Sequence, residues 1–113
     1  MYTIKIIVSP KVVYDYYDRN FCRELESIVA INETDFKINI EGTQDGFFIS
    51  YQYKDNKNID DKDSMYFNEI TDIGIELEEG INNILDQLAY ATFYETIKEG
   101  DEFTSEQILS WKF

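Results

Sequence analysis

The side chains able to do chemistry in this chain are overwhelmingly carboxylates. Asp72, Glu76 and Glu78 fall at even offsets from one another, with Ile73, Ile75 and Leu77 among them. On an extended strand that spacing puts the acids on one face and the apolar residues on the other. Glu76 and Glu78 then stand ~7 Å apart along the strand, a separation comparable with that of successive phosphates on a nucleic-acid backbone. Asp60, Asp61 and Asp63 crowd a short polar stretch with only Lys62 between them. Glu99, Asp101 and Glu102 lie at or just past the end of a helix expected over residues 80–98, where the helix dipole opposes negative charge. Glu95 and Glu99, four apart on that helix, add mild like-charge repulsion. Folding physics selects against such placements, and local conflict of this kind often marks function. The chemistry on offer is a charge track read by Lys and Arg forks. Tyr53 and Tyr66 bracket the charged stretch, and tyrosine supplies rigid apolar contact with a polar tip at interfaces. Some acids have simpler explanations. Glu78 and Glu79 precede or open the expected helix, where the dipole favours them, and Glu95 can pair with Lys98 at i,i+3.

Other chemistries lack their parts. The chain has no His, so there is no imidazole base, no Ser-His or Cys-His pair and no His metal ligand. The lone Cys22 follows the apolar Phe21 and reads as a buried, inert thiol. A structural zinc site lacks its four ligands. The stretch from Asp55 to Met65 resembles a calcium loop only superficially: Lys57 falls at the third ligand position, the central Gly is absent, and no Glu closes it. No phosphate-cradling Gly-rich loop, GxSxG elbow or kinase signature occurs. The expectation is a protein without catalysis, metal or cofactor.

Charge narrows the partner. The 113 residues hold 23 Asp and Glu against 10 Lys and Arg, a net charge of −13. A folded surface of about 6,500 Å² then carries roughly one uncompensated negative charge per 500 Å², more than the net charge of ~2–8 that solubility asks of a small domain. Residues 1–54 hold 8 acids and 6 bases, whereas residues 55–113 hold 15 acids and 4 bases. A one-sided binding face produces such asymmetry, and simple solubilisation does not require it. The charge repels nucleic acid and anionic membranes and attracts a basic protein.

The elements that must position these groups follow from periodicity. Tyr2 to Val8 is short, rich in β-branched residues and strand-like. Ser9-Pro10 suits a helix start. Val13, Tyr17, Phe21, Leu25 and Ile28 then recur at spacings of four, four, four and three, which predicts an amphipathic helix of about 20 residues. Phe36, Ile38 and Ile40 alternate with polar residues, as do Phe47, Ile49, Tyr51 and Tyr53; a five-residue loop from Gly42 to Gly46 joins them in a hairpin. Residues 55–64 form a polar loop, and residues 64–78 one long strand or two shorter ones. Ile81, Ile84, Leu85, Leu88 and Ala91 mark the second helix, with Gly100 in the C′ position. Thr104-x-x-Gln107 is a capping box opening a short last helix. The expected architecture is α+β, one compact acidic domain over residues 1–113. It has a small antiparallel sheet of about four strands, two main helices packed on one face and a short C-terminal helix.

No apolar run approaches the ~18 residues of a membrane span, and the start MYTIKIIVS lacks a signal-peptide pattern, so a soluble cytoplasmic protein is expected. The leading functional expectation is a non-catalytic inhibitor that binds a basic nucleic-acid-binding enzyme through a phosphate-mimicking face. Phage or mobile-element counter-defence, against a CRISPR effector or a restriction enzyme, suits such a protein. The face comprises Asp60, Asp61, Asp63, Asp72, Glu76, Glu78, Glu99, Asp101 and Glu102, with Tyr53 and Tyr66. One alternative is an immunity protein that neutralises a co-encoded basic nuclease toxin. Another is an adaptor subunit using Phe103, Leu109, Trp111 and Phe113 as an apolar anchor.

Overall fold

Four long strands occupy the first half of the chain, and each pairs antiparallel with the next: β1 (Thr3–Tyr16), β2 (Cys22–Ile31), β3 (Thr34–Thr43) and β4 (Gly46–Asp55). The computed structural model describes residues 2–16, 22–32, 34–55, 68–69 and 81–112. A two-residue β5 (Asn68–Glu69) pairs with β4. Helix α1 (Ile81–Phe93) follows, then β6 (Glu102–Thr104) and the short α2 (Ser105–Leu109). The strand order is β5-β4-β3-β2-β1-β6, so β6 returns to the edge farthest from β5.

This overturns the expected architecture of four strands under two main helices. The segment from Val13 to Ile28, read as the first helix, supplies the end of β1 and most of β2. The reason lies in two periods that share residues. Leu25 and Ile28 suit helical spacing, but Leu25, Ser27, Val29 and Ile31 are the buried set, at a period of two. Ser27 is the residue that hides this pattern, because a serine in a core position interrupts the apolar alternation. Val12, Val13, Tyr14 and Tyr16 are β-branched or aromatic and suit a pleated strand. Ser9-Pro10 does not open a helix either. Pro10 sits inside β1, within the register shift between Val8 and Lys11, and beyond the Lys5–Glu102 pair that ends the contact with β6. An irregular edge position tolerates a residue without an N–H.

The second helix forms but stops at Phe93, well short of Lys98. Glu95 adopts φ of 55°, its N–H bonds Thr92 O (3.2 Å), and the Thr96 N–H bonds Ala91 O (3.0 Å). That is a Schellman closure with Glu95 in the C′ place expected of Gly100. Gly100 instead turns the chain at φ 92° and donates its N–H to Ile6 O (2.9 Å). The β3–β4 hairpin is tighter than expected: Thr43 still pairs with Gly46, leaving only Gln44 and Asp45 in the turn. The capping box forms as its spacing predicts. The Gln107 N–H bonds Thr104 Oγ1 (3.2 Å), and Gln107 Oε1 accepts from the Thr104 N–H (2.8 Å).

Helix α1 covers one face of the sheet. Its Ile84, Leu85 and Leu88 pack with Ile6, Leu25 and Ile38, and Ile108 of α2 joins the same core. Tyr51 Oη donates to Asp86 Oδ1 (2.5 Å), tying β4 to α1, and burial followed by this bond pushes the phenol's pKa up. Ser27 and Thr92 meet inside the core at 2.7 Å, both essentially inaccessible. At the end of α1, Phe93 lies on Gly42 of β3, where a Cβ would stand only 2.5 Å from the ring. Phe47 and Tyr94 meet the Phe93 ring edge to face at 4.9 and 5.3 Å. The Arg23 guanidinium lies 5.7 Å from its centroid and donates to Phe93 O (3.3 Å) and Glu95 Oε2 (2.8 Å). Among the described residues no helix is long and apolar enough to cross a membrane.

Candidate functional site

Asp60, Asp61, Asp63, Asp72, Glu76, Glu78 and Tyr66 lie outside the described residues. Tyr53 is described, and it stands opposite Phe36 on the helix-covered side of β4, only 4% exposed. It is a core residue, because it shares its face with Tyr51 and Ile49. Glu99, Asp101 and Glu102 come together on the stretch that leads from α1 into β6, along the outer edge of β1. The dipole argument for their oddity does not apply, since α1 ends at Phe93, six residues before Glu99. Asp101 closes a local turn, in which its Oδ2 accepts from the Lys98 N–H (3.0 Å) and its N–H bonds Lys98 O (3.1 Å). The Glu99 N–H donates to Ser9 Oγ (2.7 Å), which pins this stretch to β1. Glu102 stands opposite Lys5 in the β1–β6 register, a favourable cross-strand pairing of opposite charges. Glu95 is held by Arg23, not by Lys98. The side chains of Glu99 and Glu102 are left exposed to solvent.

The other face of the sheet is where unlooked-for chemistry collects. No described element packs over it. Strand alternation sends Glu24 and Glu26 of β2, Lys37, Asn39 and Glu41 of β3, and Phe48, Ser50 and Gln52 of β4 to this side. Register then sets one row across four strands: Tyr14 opposite Glu24, Glu24 opposite Glu41, Glu41 opposite Phe48. Tyr14 and Phe48 are 50% and 60% exposed. Tyr14 also stacks on Tyr16, with ring centroids 6.2 Å apart. Next to this row, Glu24, Glu26, Lys37, Asn39, Ser50 and Gln52 line a shallow depression of about 340 Å³. Lys37 Nζ lies 3.9 Å from Glu26 Oε2 and partly neutralises that acid. Among the described residues, no three Cys, Asp or Glu side chains converge as metal ligands.

The signal for this face was present in the alternation of Glu24 and Glu26 with Leu25 and Ser27. It was masked by the helical period that the same segment satisfies. The juxtaposition of Glu24 with Glu41 carries no local signal at all, because it depends on which strands pair and in what register.

Cys22 sits at the end of this face, half-buried. Its Sγ donates to Glu41 Oε1 (3.0 Å). That hydrogen bond raises the thiol pKa, with burial and the charges of Glu41 and Glu24 adding to it. A raised pKa lowers the thiolate fraction at neutral to mildly alkaline pH, and the thiolate is the reactive form. Alkylation of the folded protein by iodoacetamide at pH 8 is therefore slower than that of free cysteine. Glu41→Gln, which removes the charge and keeps an acceptor, speeds it up. An alkylation rate unchanged by Glu41→Gln would show that the carboxylate does not control the thiol.

Compared with protein-family models, curated proteins and solved structures, the chain matches none. Its function is therefore read from the residues themselves.

Proposed function

We propose that this is a non-catalytic inhibitor that binds a basic nucleic-acid-binding enzyme in the cytoplasm, its carboxylates standing in for phosphates. The observation that carries this reading is the net charge of −13, concentrated in residues 55–113 with 15 acids against 4 bases. A surface of that density destabilises its own fold by self-repulsion and steers a cationic partner in quickly. Glu99 and Glu102 are exposed beside the outer edge of β1 and count, on this reading, with the acids from Asp60 to Glu78 as partner-facing charge. Two residues of the adaptor alternative have internal work: Phe103 and Trp111 pack edge to face at 5.1 Å and against the core. Counter-defence and toxin immunity use the same complementarity and differ in which enzyme is bound.

The test uses a panel of basic nucleases comprising a CRISPR effector, a restriction enzyme and a bacterial toxin nuclease. The wild-type chain, in excess, blocks DNA cleavage by a member of the panel, and added salt weakens the block. A variant carrying Asp60→Asn, Asp61→Asn, Asp63→Asn, Asp72→Asn and Glu76→Gln stays folded and inhibits at least about tenfold less well, roughly 1.4 kcal/mol. Equal inhibition by the folded variant would reject these acids as the site. A wild-type chain that spares every nuclease would reject the function.

A further inference from the structure

We infer that the sheet face opposite α1, over which no described element packs, docks an arginine-bearing segment of the partner at its hairpin end. Glu24 and Glu41 receive the guanidinium groups, and Tyr14, Tyr16 and Phe48 flank them. This rests on the reading that the partner is basic and specifies which surface meets it.

Three observations converge. Glu24 and Glu41 are directly opposite on adjacent strands, so their Cβ atoms stand ~4.5–5.5 Å apart, and like charges so placed destabilise a sheet. Neither has an ion pair within 4 Å among the described residues: Arg23 turns to the other face, toward Phe93 and Glu95, and Lys37 lies near Glu26. The free protein therefore carries a repulsion that an added cation would relieve. Second, three aromatic side chains, Tyr14, Tyr16 and Phe48, keep much of their surface exposed on either side of the acids, and exposed apolar surface of this kind marks an interaction site. Third, the row from Tyr14 to Phe48 crosses four strands, roughly 14 Å, enough for more than one cationic side chain. Arginine suits this surface better than lysine. Its planar guanidinium forks onto carboxylates and stacks on aromatic faces, whereas the lysine ammonium is a compact, strongly hydrated point charge. A second copy of this chain is a poor occupant, because two bodies of net charge −13 repel.

The experiment titrates the full chain with a short peptide of alternating Arg and Gly. Amide chemical shifts are followed by NMR, and affinity by fluorescence anisotropy. Shifts concentrate at Tyr14, Glu24, Glu41 and Phe48. The double variant Glu24→Gln/Glu41→Gln binds about tenfold more weakly, and Tyr14→Ser/Phe48→Ser several-fold more weakly. The control Asp35→Asn/Glu106→Gln, at the far end of β3 and on α2 and with the same change in net charge, stays within about twofold of wild type, because charge at a distance is screened. A peptide with Lys in place of Arg binds about threefold more weakly. The Glu24→Gln/Glu41→Gln protein also melts about 2–5 °C higher, since the cross-strand repulsion is gone. Equal weakening by the control, or shifts spread over all acidic segments, would overturn the site, and a lower melting temperature would show that the two acids do not strain the free sheet. No nuclease enters this experiment. Failure here with inhibition in the panel discards this surface only, and binding here with no inhibition discards the proposed target.

Discussion

Gly42→Ala lowers the stability of the protein by about 1–3 kcal/mol, the range of a core overpacked by one methyl group. The sign is the informative part. In the interior of an ordinary strand, Gly to Ala removes an entropic handicap and stabilises by about 0.5–1 kcal/mol. Here the new Cβ would meet Phe93 Cε2 at 2.5 Å and Cζ at 2.6 Å, with Phe47 Cε1 at 3.2 Å. The Phe93 ring has little freedom to retreat. Phe47 and Tyr94 hold its edges, and Arg23 lies over it while bonding the carbonyl of the same residue. The expected consequence is a shift of the end of α1 away from β3, which also strains the Arg23–Glu95 pair. Urea unfolding, compared at unchanged m-value, measures the loss. In the Gly42→Ala background, Phe93→Leu costs less than it does alone, because the smaller side chain vacates the contact. A Gly42→Ala protein as stable as wild type would show that Phe93 does not seat on this glycine.

The second large effect lies in the core. Thr92 Oγ1 donates to Leu88 O (2.7 Å), so its hydroxyl proton is committed and Ser27 Oγ must be the donor in the 2.7 Å contact between them. Thr92→Val keeps the shape and removes the acceptor. It leaves a serine hydroxyl buried and unpaired, at a cost of about 1–3 kcal/mol. Ser27→Ala removes the other partner while the Thr92 bond to Leu88 persists, and costs less. Ser27→Ala with Thr92→Val leaves no orphan polar group and comes within about 1 kcal/mol of wild type. The double-mutant cycle therefore shows favourable coupling of about 1–2 kcal/mol. Simple additivity would mean that the two hydroxyls do not meet. The result bears on topology as well, since the pair joins β2 to α1 across 65 residues of sequence.

These two contacts also mark the limit of what the chain shows by itself. Charge is a sum over side chains, so the acidity and its asymmetry needed no structure. Local patterns with one solution also stood: the alternating apolar residues from Phe36 to Ile40 and from Phe47 to Tyr53 became β3 and β4, and Thr104 with Gln107 capped α2. The segment from Val13 to Ile28 had two solutions. A helix and a pair of strands bury overlapping subsets of it. What separates them is the buried Ser27, whose partner Thr92 is invisible until α1 lies on β2. Pro10 was equally ambiguous, acceptable in a first helical turn and in an irregular edge strand.

The candidate surface divides in the same way. That the protein is anionic, lacks His and is rich in tyrosine followed from composition. That Glu24 faces Glu41, that Tyr14 and Phe48 flank them, and that Tyr53 is buried followed only from strand order and register. The physical reason is that residue type and local period act over a few positions, whereas strand pairing is chosen by the whole core at once. A one-residue change in register or face would have put the same acids among different neighbours.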